Sequence, residues 1–338
     1  MLNLHRNECR HGLSPAVRRL LSSAGPLAWQ YPAREAARLV QRLAIYHRRR
    51  PEEFVLGAGA TAILQTVLAH FARRPDARLF YSAPVFPLLP AMAGALPSEF
   101  CRWLPDGSID LPGLRQRVEQ HRGAALVYLS NPDCHGGQML DQTLLDAWMC
   151  EASPRVRFII DEAYMEFLPE PEAHSLLSRL DALPSSLLVL RTFSKAYGLA
   201  GLRVGFAAGR DAGWLAGLQA ALAPALNLPG LLAAAEALQN PAWLEHARWL
   251  LATARAALCE GLEALQLSPR CSVLNFVLHR LPGEAAFWLA GLAAADVSVC
   301  YPINTLPGWC RVSVDSFDGV QRYLQVLRDL LQRRVREG

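Results

Sequence analysis

The loop between two predicted strands, residues 187–190 and 204–208, constrains this chain more than any other stretch. Both strands consist of apolar residues, which is typical of a buried sheet. The loop carries Lys195, the only lysine in 338 residues, although lysine and arginine together number 34. Loops that follow strands are where α/β enzymes place reactive groups. The sequence therefore predicts an α/β fold with a functional amine in this loop.

An amine supports chemistry that a guanidinium does not. It loses its proton at moderate cost and condenses with an aldehyde to form a Schiff base. The same loop offers the hydroxyls of Thr192 and Ser194, and Arg203 provides a planar fork of donors that suits a phosphate. A Schiff-base lysine beside a phosphate site indicates pyridoxal 5′-phosphate (PLP). The alternative is a surface lysine that survived in an arginine-rich chain.

Residues 192–205 match the pattern T-x-S-K-x-x-x-L-A-G-x-R-x-G at every fixed position. This stretch resembles the fold-type I PLP enzymes of the aminotransferase class I/II family. Within that family it is most similar to the group of histidinol-phosphate aminotransferases and threonine-phosphate decarboxylases. The resemblance covers nearly the whole chain and implies a homodimer with active sites at the interface.

The expected fold is α/β, and the residue pattern by itself supports at least five strands. The resemblance implies a large domain with a mostly parallel seven-stranded sheet and a smaller C-terminal α+β domain. We expect an extended N-terminal arm over residues 1–30, the PLP-binding domain over 31–240, and a bridging helix with the small domain over 241–338. A strand is predicted over 272–279.

The strand predicted over 156–160 ends in Asp161-Glu162-Ala163-Tyr164, which resembles the family motif D-E-A-Y. The resemblance implies that Asp161 pairs with the pyridine nitrogen of PLP and keeps the ring an electron sink. It also implies that Tyr164 hydrogen-bonds the phenolic oxygen O3′. Adjacent carboxylates at a strand end can instead be simply solvated.

Two further stretches contribute to the expected cofactor site. A glycine turn at 57–59 precedes a helix start, and the free N–H groups there favour a phosphate, so Ala60 and Thr61 are the expected contacts. The resemblance implies that Phe86 stacks on the pyridine ring, an arrangement worth about 1 kcal/mol beyond area burial. The alternative for Phe86 is an ordinary core aromatic.

One loop departs from the family pattern. Residues 130–138 align with S-N-P-x-N-P-T-G-Q, in which the second Asn donates to O3′, and that position here is Cys134. Two arrangements are open. Either Cys134 stands at O3′ and the bond is weakened, or the loop shifts and Asn131 supplies the amide.

Substrate contacts are expected from both ends of the chain. Residues 7–15 resemble the family's N-E-N-P-Y-G-x-S-P arm, which implies that Asn7 and His11 face the substrate. Tyr31 of the partner subunit is implied to reach the cofactor. Arg311, in a strand that resembles L-R-I-S-V, is implied to grip a carboxylate with two parallel bonds.

Two departures in these stretches bear on the substrate. The family's arm tyrosine is here His11, and the position of a second family arginine is here Cys300. We therefore expect an ordinary carboxylate-bearing amino acid, or another singly charged amine, to be preferred over histidinol phosphate or threonine phosphate. Arg10 is the residue that could replace the missing phosphate donors.

Composition narrows the class of protein further. Hydrophobic residues make up 52% and charged residues 19%, which is typical of a globular chain rather than a disordered one. The net charge of +4 is small, so we expect no nucleic-acid partner. No apolar run approaches the length of a membrane span, which is about 20 residues. Eight scattered cysteines without a C-x-x-C pair predict reduced thiols, no metal and a cytoplasmic protein.

The predicted function is a PLP-dependent aminotransferase that moves an amino group between an amino acid or related amine and a 2-oxo acid through a Lys195 Schiff base. Three alternatives remain open. They are a decarboxylase or lyase of the threonine-phosphate type, a histidinol-phosphate aminotransferase proper, and a non-catalytic PLP-binding protein. The amino donor and its pathway cannot be identified from the residues.

Overall fold

The computed structural model describes residues 1–27, 29–104, 106–222 and 226–337. The strands are β1 (Leu2–Leu4), β2 (Phe54–Ala58), β3 (Arg78–Ala83), β4 (Ser98–Arg102), β5 (Ala125–Ser130), β6 (Val156–Asp161), β7 (Leu187–Thr192), β8 (Val204–Gly209), β9 (Arg270–Cys271), β10 (Phe276–Arg280), β11 (Val297–Val299) and β12 (Trp309–Ser313). The helices are α1 (Pro15–Ser23), α2 (Ala33–His47), α3 (Ala60–Phe71), α4 (Leu89–Ala93), α5 (Leu111–Gln120), α6 (Gln142–Glu151), α7 (Pro171–His174), α8 (Ala212–Ala221), α9 (Leu228–Ala237), α10 (Pro241–Ala264), α11 (Ala285–Ala294) and α12 (Phe317–Glu337).

A seven-stranded sheet forms the centre of the fold, in the order β2-β8-β7-β6-β5-β3-β4. β8 is antiparallel to both of its neighbours, and the other pairings are parallel. The predicted mostly parallel seven-stranded sheet is confirmed. The carboxyl ends of β2, β5, β6 and β7 therefore meet at one edge, together with the amino end of β8.

The sheet is covered on both faces, and most residues of its central strands are apolar and buried. Along β7, Leu187 and Val189 face one hydrophobic layer, while Leu188 and Leu190 face the other. This alternation follows from the two-residue period of a strand. The edge strand β4 was not predicted, because half-exposed Glu99 and exposed Arg102 interrupt its apolar pattern.

The N-terminal segment is not wholly extended, and that expectation was wrong for residues 15–23. These residues form α1, which Pro15 begins and which Ser14 caps by accepting a hydrogen bond from the main-chain N–H of Val17. Before the helix, β1 pairs in parallel with β11, with Leu2 opposite Val297. The start of the chain is thereby held against its C-terminal third.

The C-terminal part contains the antiparallel sheet β12-β10-β9. A strand was predicted over 272–279. In the structure β9 ends at Cys271, residues 272–275 connect β9 to β10, and β10 begins at Phe276. Cys271 forms a disulfide bond with Cys259 of α10. The expectation that all thiols are reduced was therefore wrong at this pair.

Helix α10 spans 24 residues and begins at residue 241, where the bridging helix was expected to begin. None of the helices in the described ranges has the length and apolarity to cross a membrane. The division into an arm, a large domain and a small domain stays a prediction.

Candidate active site

A cavity of about 450 Å³ opens at the edge of the sheet where the strand ends meet. Its walls come from the arm, from the start of α3 and from the loops after β3, β5, β6 and β7. The lining residues are Arg6, Glu8, Ala60, Thr61, Leu64, Phe86, Tyr128, Ser130, Cys134, Asp161, Ala163, Tyr164, Thr192, Ser194, Lys195, Ala200, Gly201 and Arg203. Most of the residues predicted to bind the cofactor are thus brought together.

The side chain of Lys195 lines this cavity. Its Nζ donates to the main-chain oxygens of Arg6, at 2.8 Å, and Asn7, at 3.4 Å. Burial, together with the nearby guanidinium of Arg311, lowers the pKa of Lys195 to about 8. At neutral pH this amine therefore loses its proton far more readily than an exposed lysine does.

Asp161, at the end of β6, presents its carboxylate to the same cavity. Oδ2 accepts a hydrogen bond of 2.6 Å from the hydroxyl of Tyr128, and Oδ1 accepts one of 3.1 Å from the main-chain N–H of Ala163. Burial raises the pKa of Asp161, while the Tyr128 hydroxyl lowers it by favouring the charged form. A carboxylate held in this way is suited to pair with a cationic ring nitrogen.

Tyr164 forms the adjoining wall, and the Lys195 Nζ lies 5.5 Å from the centroid of its ring. Its hydroxyl accepts a hydrogen bond of 3.0 Å from Nδ2 of Asn7. Burial raises the pKa of Tyr164, so its hydroxyl keeps its proton at neutral pH. The phenol is therefore a hydrogen-bond donor to whatever occupies the cavity.

The phosphate side of the cavity is built around Gly59, Ser194 and Arg203. Gly59 has φ +76, a conformation that favours glycine, and a Cβ there would meet the guanidinium of Arg203. Arg203 itself has φ +51 and donates from Nη1 to the Ser194 hydroxyl at 3.3 Å. Because Ala60 and Thr61 begin α3, their free N–H groups face the same space.

The loop after β5 brings Cys134, and not Asn131, to the cavity wall. Asn131 is buried and its Oδ1 accepts from the main-chain N–H of Leu140 at 2.9 Å. The Cys134 sulfur lies 3.2 Å from Nδ1 of His135. Burial raises the pKa of the Cys134 thiol and lowers that of His135, so both groups are neutral. The geometry thus favours the first of the two predicted arrangements of this loop.

Arg311 lies on β12 immediately behind the cavity lining. Its Nη1 donates to the main-chain oxygen of Cys134 at 2.8 Å and its Nη2 to that of His5 at 2.9 Å. Nε is buried without a hydrogen-bond partner. Burial raises the pKa of the Asp133 carboxyl and the charge of Arg311 opposes that rise, without an ion pair between them among the described residues. A buried cation without a paired carboxylate is costly, so this site favours an anionic ligand.

Asn7, Asn131 and Arg311 are not among the residues that line the cavity, and neither are His11, Arg10 and Tyr31. The main-chain oxygen of His11 accepts from the indole of Trp243, and Arg10 pairs with Asp315 at 3.0 Å. Tyr31 is 96% exposed on the outer surface. Arg6 and Glu8 are the arm side chains that line the cavity instead.

The sequence did not single out a buried ionic network next to the site. Arg191 donates to Glu162 at 2.8 Å, to Glu166 at 2.7 Å and to the Ser175 hydroxyl at 2.7 Å. Glu162 follows Asp161, and Arg191 precedes Thr192, so the network joins the two segments that carry the reactive groups. The motifs D-E-A-Y and R-T-x-S-K contain both partners, but only the fold shows that they meet.

A second missed feature is the cluster Asp133, Cys134 and His135, whose metal-ligand atoms lie within 4.8 Å of one another. Oδ2 of Asp133 already accepts from the main-chain N–H groups of His135 and Gly136. The Asp133 carboxylate is therefore used to hold the turn that presents Cys134.

The donor set fits PLP. One wall offers an amine that can react with the aldehyde and a carboxylate for the ring nitrogen, Lys195 and Asp161. The opposite end offers the helix N-terminus, Ser194 and Arg203 for a phosphate, around a cradle that a Cβ at position 59 would fill. Phe86 supplies an apolar ring to the same cavity.

Comparison with known proteins identifies the family. The model of the family "Aminotransferase class I and II" matches residues 1–326. The chain belongs to this family. Enzymes of this class are PLP-dependent transferases, so the predicted family, enzyme class and cofactor are confirmed.

Curated relatives agree with this assignment. A histidinol-phosphate aminotransferase of Nitratidesulfovibrio vulgaris is 31% identical over 98% of this chain and 89% of its own length. An aromatic amino acid aminotransferase of Mycobacteroides abscessus is 34% identical over 62% of this chain and 59% of its own length. The family therefore includes relatives that are named for different amino donors.

Solved structures share the fold. A histidinol-phosphate aminotransferase of Sinorhizobium meliloti in complex with PLP has a TM-score of 0.85 at 23% identity, covering 98% of this chain and 90% of that one. An L-threonine-O-3-phosphate decarboxylase of Porphyromonas gingivalis has a TM-score of 0.79 at 20% identity, covering 98% and 100%. At these identities the likeness confirms the predicted fold class alone.

Proposed function

We propose that this PLP-dependent aminotransferase holds its cofactor through Lys195 and acts on an amino acid that carries one free carboxylate, with a 2-oxo acid as acceptor. The observation that carries the proposal is that Lys195, Asp161 and Tyr164 meet at one cavity of suitable size. A lysine remote from Asp161, or a cavity without a phosphate end, would not support this chemistry.

Each residue has a distinct task. PLP, when bound, withdraws the electrons that remain when a bond to the substrate's Cα is broken. Asp161 pairs with the ring nitrogen and favours its protonated form, and Tyr164 donates to the phenolic oxygen. The Lys195 amine would take the proton from Cα and deliver it to the cofactor, and its lowered pKa favours the free base.

Anion recognition supports the choice of substrate class. Arg311 is buried, its Nε has no hydrogen-bond partner, and its Nη1 donates to the main-chain oxygen of Cys134, which lines the cavity; this single cation supports one carboxylate as the anionic group. Arg10 is occupied by Asp315, and Cys300 forms a main-chain bridge to Arg311 where the family often has a second arginine. A phosphorylated amine would therefore find few donors on the described part of the chain.

Histidinol phosphate is the second candidate donor, because Arg6 lines the cavity mouth and relatives over nearly the whole chain are named for that substrate. Steady-state kinetics separate the two candidates. We expect a plain amino acid to have the higher kcat/KM. A histidinol-phosphate value well above that of every amino acid tested would overturn the proposed substrate class.

Decarboxylation of the threonine-phosphate type is distinguished by a half-reaction. With a donor amine and no acceptor, the aminotransferase converts its own cofactor to the pyridoxamine form, which changes its absorption spectrum. A decarboxylase releases carbon dioxide instead. Stoichiometric conversion without carbon dioxide supports the proposal, and carbon dioxide release from the preferred substrate contradicts it.

We also propose a homodimer in which Tyr31 contributes to the partner's site. Trp29 is 81% exposed and Tyr31 is 96% exposed, so these aromatic side chains are free to bury against a second copy. The cytoplasmic location and the role in amino-acid biosynthesis stay predictions.

A further inference from the structure

We propose that Asn7 of the N-terminal arm is a positioning residue, whose amide directs the hydroxyl proton of Tyr164 into the cavity. The inference rests on the proposed role of Tyr164 as a donor to the phenolic oxygen of PLP. It gives Asn7 a task different from the direct substrate contact that the family resemblance implies.

The side chain of Asn7 is fully buried between β12 and Tyr164. The Ser313 hydroxyl lies 3.0 Å from Oδ1 of Asn7 and 2.9 Å from the main-chain oxygen of Leu4, and Nδ2 donates a hydrogen bond of 3.0 Å to the Tyr164 hydroxyl. In the structure the amide has its NH₂ group towards the phenol.

This orientation decides where the phenolic proton points. A tyrosine hydroxyl has one proton, and an oxygen that accepts from Asn7 cannot donate that proton back to the same group. Tyr164 lines the cavity, so its proton is available to an oxygen that binds there. Without the Nδ2 donor the hydroxyl would rotate more freely and donate less often into the cavity.

The main chain of the same segment contacts the other reactive group. Lys195 Nζ donates to the oxygens of Arg6 and Asn7, and Nδ2 of Asn275 donates to the Asn7 oxygen at 2.9 Å. Asn7 has φ +53, a conformation that Asn, Asp and Gly adopt more easily than other residues. Asn7→Gly and Asn7→Asp are therefore the substitutions that this backbone tolerates.

The measurement is the pH titration of the visible absorbance of the PLP-bound enzyme, which reports the pKa of the cofactor–lysine chromophore. A hydrogen bond donated to the phenolic oxygen stabilises its deprotonated form and lowers that pKa. Asn7→Gly removes the directing donor, and we expect the chromophore pKa to rise by about half a unit to one unit. Asn7→Asp offers an acceptor that captures the proton, so we expect a larger rise.

Two comparisons isolate the effect. In the Tyr164→Phe background the Asn7 substitutions should cause no further shift, because the proton they direct is gone. Asn275→Ala removes a bond to the arm's main chain but leaves the Nδ2 contact to Tyr164, so its chromophore pKa should stay at the wild-type value. If Asn275→Ala shifts the chromophore pKa as much as Asn7→Gly does, the effect is a general loosening of the arm, and the inference is overturned.

Other outcomes are equally decisive. A fall in the chromophore pKa of Asn7→Gly, or no change in Asn7→Asp, would show that Tyr164 donates to Asn7, which overturns the inference. Asn7→Asp is nearly isosteric, so it decides the question even if Asn7→Gly does not fold. A wild-type enzyme that shows no chromophore would instead contradict the proposed function. So would a Tyr164→Phe variant whose chromophore pKa equals the wild-type value.

Discussion

Replacing Arg191 with methionine should destabilise the enzyme more than any single change on its surface. The Arg191 side chain is 1% exposed, and it pairs with Glu162, which is 0% exposed, and with Glu166, which is 6% exposed. Methionine removes the cation and leaves two carboxylates buried. Breaking a buried ion pair in this way costs about 3–5 kcal/mol in the free energy of unfolding.

Urea unfolding of the PLP-bound enzyme measures this loss, and Arg179→Met is the matched control. Arg179 pairs with Asp146 at 2.7 Å, but their side chains are 29% and 28% exposed. Arg179→Met should therefore lower the free energy of unfolding by about 1 kcal/mol or less. If Arg191→Met lowers the free energy of unfolding by less than about 1 kcal/mol, the claim that the buried network stabilises the fold is refuted.

The pH dependence provides an independent check. Burial raises the pKa of Glu162, and Arg191 opposes that rise, so the substitution raises the pKa further. A carboxyl whose folded pKa lies above its unfolded pKa destabilises the fold at high pH, and this penalty disappears as pH falls through the folded value. The difference in the free energy of unfolding between Arg191→Met and wild type should therefore shrink on acidification. A difference that is constant with pH would contradict the account.

Two further predictions concern the reactive groups. In the enzyme stripped of PLP, labelling of Lys195 by an amine-specific reagent should have a midpoint near pH 8, because burial lowers its pKa, and a midpoint at the ordinary value for lysine would contradict the burial. Asp161→Asn should lower kcat on the order of 100-fold, as expected for loss of one preorganised electrostatic contact, while the PLP dissociation constant changes much less. Turnover of this variant at the wild-type rate would exclude Asp161 as the partner of the ring nitrogen.

Much of the fold could be predicted because apolar runs and strand ends carry clear local patterns. β6, β7 and β8 lie within one or two residues of their predicted bounds, and the motif residues Asp161 and Lys195 meet where parallel strands end. Motif spacing is local, and the sheet brings the motifs together.

Other features depend on contacts between distant segments, which no local pattern encodes. Tyr128 reads as one more residue of a buried strand, and only the register that sets Ser130 opposite Asp161 brings its hydroxyl to that carboxylate. The path of the arm likewise places Arg6 in the cavity rather than His11. The Cys259–Cys271 bond requires β9 to pack beside α10.

The central claim is that Lys195 is the amine that binds PLP, and one measurement tests it most directly. Borohydride reduction of the PLP-bound enzyme, followed by proteolysis and peptide mapping, locates the pyridoxyl group. Because the chain has a single lysine, the expected result is one pyridoxyl group per chain, on the peptide that contains Lys195. An enzyme that takes up no pyridoxyl group, or carries it on the terminal amine of Met1, would contradict the account.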